Sequence, residues 1–135
     1  MRKCLAICSL LCCLLLVGCR TGAAYQAEIE PMEQSELYTE KEIEAAILVV
    51  QDYFDKHFKS CKLLTIGYGG DDEKLFDDWA ENYGAEEAII LTSSFKVAAE
   101  GAEPTLEPNS THTDWKWILV RNVGGKWEHK GHGYP

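Results

Sequence analysis

The chain has 135 residues, room for one domain and not for two. Hydrophobic residues make up 46% and prolines number only 4, which excludes wholesale disorder. Thirteen basic against 22 acidic side chains give a formal net charge of −9. That balance excludes a nucleic-acid binder, which needs cations to displace the counterions of phosphate.

Five of the six cysteines lie at or before residue 19, so they do not read as a disulfide scaffold. Arg2 and Lys3 precede an apolar run of 14 residues, Cys4 to Val17. The run is shorter than the roughly 20 helical residues that cross a bilayer core, and it matches the apolar region of a secretory signal. It closes on Leu16-Val17-Gly18-Cys19. These four residues resemble the lipobox of bacterial lipoproteins. The resemblance implies cleavage after Gly18, a diacylglyceryl thioether on Cys19, and a chain anchored in the bilayer on the extracytoplasmic face of the cell membrane. Two acyl chains anchor stably where one is marginal. Cleavage would leave residues 19–135, with a net charge of −11 and Cys61 as the only unmodified thiol.

Arg20 to Glu36 carries four glutamates and no apolar period. Together with Cys19 and Leu37 it reads as a flexible acidic tether spanning roughly 20–25 Å. Residues 38–135 then form the domain. From Tyr38 to Lys59, Ile43, Ile47, Val50, Phe54 and Phe58 recur at helical spacing, so the sequence predicts a helix with one buried face. Thr39 and Glu42 fit a capping box, and Asp52 with Lys56 an i,i+4 pair. Lys62 to Tyr68 is a predicted strand. Asp71 or Asp72 would cap a second helix over Glu73 to Tyr83, ended by Gly84. Glu86 to Ala99 alternates as a strand, and Glu100 to Asp114 reads as loop.

Trp115, Trp117 and Leu119 alternate with Lys116, Ile118 and Val120, and a loop Val123-Gly124-Gly125 turns the chain into a last strand. That register sets Trp127 opposite Arg121, His129 opposite Leu119, Gly131 opposite Trp117 and Gly133 opposite Trp115. It gathers three tryptophans and His129 on one face. The order is helix-strand-helix-strand-strand-strand. It predicts an α+β layer, an antiparallel sheet covered on one face by the long first helix.

The lipobox, the tether, Tyr53-Phe54, Trp115-x-Trp117-x-Leu119 and Gly124-Gly125-x-Trp127 together resemble a family of Gram-positive lipoproteins of unassigned function. Their domain resembles the cone of the nuclear-transport-factor-two-like superfamily, and the resemblance implies a curved sheet wrapped on the first helix.

No enzyme, cofactor or metal signature stands out. His129 and His132, three apart on a strand, point to opposite faces unless Gly131 breaks it. Gly67-Tyr68-Gly69-Gly70-Asp71 lacks the lysine of a phosphate loop, and the acids that follow would repel phosphate. Helix periodicity turns Asp52 and Asp55 to solvent, away from Tyr53, and Cys61 reads as a small hydrophobe. Trp115, Trp117 and Trp127 are either core or one wall of a pocket with Tyr68 and His129 as polar handles. The expectation is a non-catalytic module that binds a small apolar or amphipathic ligand. The alternative is a module that binds another protein of the cell envelope.

Overall fold

The computed structural model describes residues 27–31, 35–102 and 106–134; the signal segment, Cys19 and the tether up to residue 26 lie outside the described residues. Helix α1 spans Glu40–His57. Its start is the predicted capping box: Thr39 Oγ1 accepts from the Glu42 N–H at 3.3 Å, and Glu42 Oε2 accepts from the Thr39 N–H at 2.7 Å. Such a cap is worth about 1 kcal/mol. Ile43, Ala46, Ile47, Val50 and Phe54 form its buried face, each large side chain contributing roughly 1.5–3 kcal/mol by leaving water. Lys56 and Asp52 pair at 2.7 Å on the exposed face.

The chain order is β-α-β-α-β-β-β rather than the expected order with a helix first. Strand β1, Glu28–Ile29, lies inside the segment read as tether. It runs parallel to β2 (Cys61–Tyr68), with Glu28 beside Thr65 and Ile29 beside Ile66. Helix α2 (Glu73–Asn82) is capped by Asp72. Strands β3 (Glu87–Val97), β4 (Thr111–Arg121) and β5 (Glu128–Gly133) complete one sheet in the order β1-β2-β3-β4-β5. The sheet is therefore mixed, not antiparallel throughout, and it is neither closed nor strongly curled. The cone with a curved antiparallel sheet is not what this chain forms.

Nor is the sheet covered on one face only. Ile66, Tyr68, Ile89, Leu91, Phe95, Trp117 and Leu119 are buried on the side of α1. Side chains alternate along a strand, so Ile90, Ile118 and Val120 turn the other way. There α2 crosses β3 and β4.

Three bulges break the alternation. Leu64 is an extra residue in β2. Thr113 and Asp114 together stand opposite Ser94 where β4 faces β3, and Asp114 has φ 55°. This carries β4 back to Thr111, so the predicted loop is shorter than expected and His112 sits on a strand. In β5 the extra residue is Lys130: His129 pairs with Leu119 as expected, but Gly131 pairs with Ile118, His132 with Trp117 and Gly133 with Lys116. The hairpin register is right next to the turn and one residue out beyond it. A bulge shifts every later side chain to the opposite face, and here it sets the His132 ring against Phe58, Trp115 and Trp117 while the residue stays exposed at the sheet edge.

Candidate functional site

At its C-terminal end α1 presents Tyr53, His57 and Phe58 to the inward faces of β4 and β5. Phe58 stacks on Phe54 and lies 5.2 Å from His132, 5.4 Å from Trp117 and 6.3 Å from Trp115, centroid to centroid. His112, brought inward by the β4 bulge, stacks on Phe95 at 4.9 Å, and its Nδ1 meets Tyr134 Oη at 2.5 Å. The result is a continuous aromatic layer.

A cleft of about 620 Å³ opens beside this layer, within the 300–1,000 Å³ typical of small-molecule sites. Tyr53, His57, Phe58, Trp115 and His132 form one wall, Lys59 to Cys61 the end, and Ala102 with Leu106 the side. The lining is mostly apolar, with imidazole, phenol and ammonium groups at its edge. Cys61 lies there too, but burial pushes its thiol pKa up, which leaves it a poor nucleophile at neutral pH. Trp115 Nε1 is buried without an acceptor among the described residues, an omission that costs roughly 1–3 kcal/mol.

At the solvent-exposed rim of this wall, His132 Nδ1 and the half-buried His129 Nε2 stand 3.2 Å apart in a hydrogen bond. Tyr53 covers them, its ring 4.1 Å from His129 and 5.7 Å from His132. Burial first, then the neighbouring His132 charge, pushes the His129 pKa down to about 4, and burial lowers that of His132. His129 is therefore neutral at pH 7, and His132 is shifted in the same direction.

The residues singled out from the sequence divide into two groups. Trp115, Trp117 and His129 come together here, although Trp117 is 0% exposed and its indole N–H donates to Ser93 Oγ at 2.8 Å. Trp127 stands at the other end of α1, about 16 Å from Tyr53 and about 24 Å from Phe58 along the helix axis. Its Nε1–H donates to the Glu42 carbonyl at 3.0 Å, and the Arg121 guanidinium lies 4.2 Å over its ring. Tyr68 is also remote from the cleft: its hydroxyl donates to Asp71. Asp71 additionally accepts from Ser35 Oγ at 2.6 Å and the Glu36 N–H at 2.7 Å. Burial works to raise the Asp71 pKa, but these hydrogen bonds outweigh it and hold the carboxyl below its usual range. A carboxylate so satisfied is a poor proton acceptor at neutral pH.

Sequence reasoning missed His57, His112 and His132 as members of the cluster. The helical spacing of Tyr53, His57 and Phe58 was a usable signal for one; the bulges that turn in the other two leave no plain mark in the residue pattern. Among the described residues no group of three or more His, Cys, Asp or Glu side chains could hold a metal ion. A second groove, about 580 Å³, runs between α2 and the opposite face of the sheet, past Leu75, Trp79, Ile90 and Ile118. Comparison with protein-family models, with curated proteins and with solved structures finds no match, so neither family nor activity follows from likeness to a known protein.

Proposed function

We propose that this chain is a lipid-anchored extracytoplasmic protein whose domain holds a small amphipathic molecule without transforming it. The anchor rests on the lipobox at Leu16–Cys19 and the basic, apolar segment before it; the likeness to Gram-positive lipoproteins rests on the same residues and on the aromatic motifs. Binding rests on one observation, the aromatic cleft at the end of α1. Its rings suit a flat apolar body, and His57, Lys59 and the Tyr53 hydroxyl suit a polar group at the mouth. A non-catalytic role fits the satisfied Asp71 carboxylate and the raised thiol pKa of Cys61.

The test is Nile red, an uncharged apolar fluorophore, titrated into the full chain in mild detergent. Trp115→Ser should weaken binding about tenfold or more, while Leu75→Ser in the second groove leaves it unchanged. Loss on Leu75→Ser alone would move the site to that groove. No saturable binding at all would remove the reading.

A second reading is docking of another envelope protein on the α2 side of the sheet. It is favoured by the exposure of Leu75 (40%) and Tyr134 (57%) along that groove. Crosslinking in cells that captures a specific partner, lost on Leu75→Glu, would support it; no specific capture would count against it.

A further inference from the structure

We propose that the His129–His132 pair is an acid-operated latch on the cleft, holding the β5 wall against α1 near neutral pH and releasing it in acid. What is released rests on the cleft reading above; the latch itself rests on the pair. The Nε2 of His129 and the Nδ1 of His132 face each other at 3.2 Å. A hydrogen bond between two imidazoles needs one N–H and one lone pair. It survives while the pair carries no extra proton, or one that is shared along the bond. Once both rings are protonated, both facing nitrogens bear hydrogen, the bond is gone, and two cations stand in contact.

The groups that face the pair offer no relief. From α1 come Tyr53, His57 and Phe58, and the charge of His57 would add to the repulsion on His129. From β4 come Trp115 and Trp117, both uncharged. On β5 itself Glu128 and Lys130 pair with each other at 3.2 Å. None of the groups stacked on the imidazoles is a carboxylate that could offset the new charge. Burial holds His129 at about 4 and lowers His132, so the second proton arrives and the bond is lost only near pH 4 and below.

The mechanical consequence follows from topology. Strand β5 is the last in the sheet and is hydrogen-bonded to β4 alone. Its rings also pack on α1 and on Trp115 and Trp117, and the chain is anchored on either side of it by Trp127 at the Glu42 carbonyl and by Tyr134 at His112, so release acts on the segment between these two anchors. His132 belongs at once to the pair and to the cleft wall, so repulsion within the pair acts on the wall directly. The bulge at Lys130 is what makes this arrangement, since an unbroken strand would put the two rings on opposite faces.

The test follows Nile red affinity and amide exchange of the full chain from pH 7 to pH 3, with far-UV circular dichroism as the check on the fold. Wild type should lose about tenfold in affinity, and exchange protection in β5 and the last turn of α1 should fall at least as much while the far-UV signal holds. The double variant His129→Asn, His132→Asn should stay flat across that range. Constant protection in wild type, or an equally steep loss in the double variant, overturns the latch. Nile red failing to bind at pH 7 would overturn the cleft reading instead, and exchange alone would then decide the latch. Should the double variant not fold, imidazole nitrogen shifts of wild type decide: two separate steps, one below pH 5, support the coupled pair, and two independent titrations near 6.5 overturn it.

Discussion

Replacing Arg121 with Met probes the junction at which one guanidinium serves two carboxylates. The guanidinium donates through Nη2 to Glu42 Oε1 and through Nε to Glu87 Oε2, both at 2.6 Å, so one side chain ties β4 to the cap of α1 and to β3. It also lies 4.2 Å over Trp127 and 5.6 Å from Tyr38. Arg121 is 9% exposed, but Glu42 and Glu87 keep 34% and 26% of their side-chain surface. Breaking a fully buried pair costs roughly 3–5 kcal/mol. Here both carboxylates regain water once freed, which brings the expectation down to about 2–3 kcal/mol, the cation–π contact included. Met keeps an unbranched apolar stem against Trp127, so lost packing adds little. At a urea slope of about 2 kcal/mol/M the midpoint should fall by about 1–1.5 M with the slope unchanged. Arg121→Lys should recover less than half, because an ammonium cannot serve both carboxylates in the fork geometry. A loss below about 1 kcal/mol would class the junction with surface ion pairs and refute the reasoning.

Trp117→Phe should cost about 2–3 kcal/mol, since it opens space in the core and leaves the buried Ser93 hydroxyl without its donor. Trp115→Phe should cost less than about 1 kcal/mol because it removes an unmet indole N–H; equal losses in urea unfolding would contradict this contrast. Gly67→Ala places a Cβ 2.9 Å from Glu30 Cβ and should detach β1, seen as faster exchange of the Glu30 amide that now donates to the Ile66 carbonyl at 2.9 Å, with the remaining strands unaffected. In acid, His129 is depressed from 6.5 to about 4, so its contribution is complete above pH 6.5 and is lost as pH falls toward 4, up to about 3 kcal/mol. The lowered carboxyls of Glu42 and Asp71 extend the loss to lower pH as each takes up its proton. Tyr38, raised to about 12 chiefly by burial, adds an alkaline limit: its share is present below pH 10 and lost between 10 and 12. A stability profile flat from pH 7 to 4 would contradict the histidine assignment.

The helices were legible because their signals are local and redundant. Thr39 with Glu42 marks the start of α1, and Ile43, Ile47, Val50 and Phe54 mark its face. The strand turning at Gly124 was legible as well, since φ 75° there is a conformation that favours glycine. What escaped was set by tertiary pairing. Glu28 and Ile29 form a strand only because the free edge of β2 is there to receive them, and nothing in an acidic segment announces it. The three bulges displace side chains by one position without changing composition, so Lys130 alone separates the expected facing of His132 from the observed one. Trp127 was grouped with Trp115 and Trp117 by strand alternation, which fixes the face but not the position along it. That position puts Trp127 at the cap of α1 and Trp115 at its far end.

Native mass spectrometry of the chain purified gently from its own cells tests the central claim most directly. The cleft predicts one constant additional mass of small-molecule size on the wild-type protein, absent from Trp115→Ser prepared in the same way. A wild-type protein carrying no such mass, or one whose added mass survives the substitution, would contradict it.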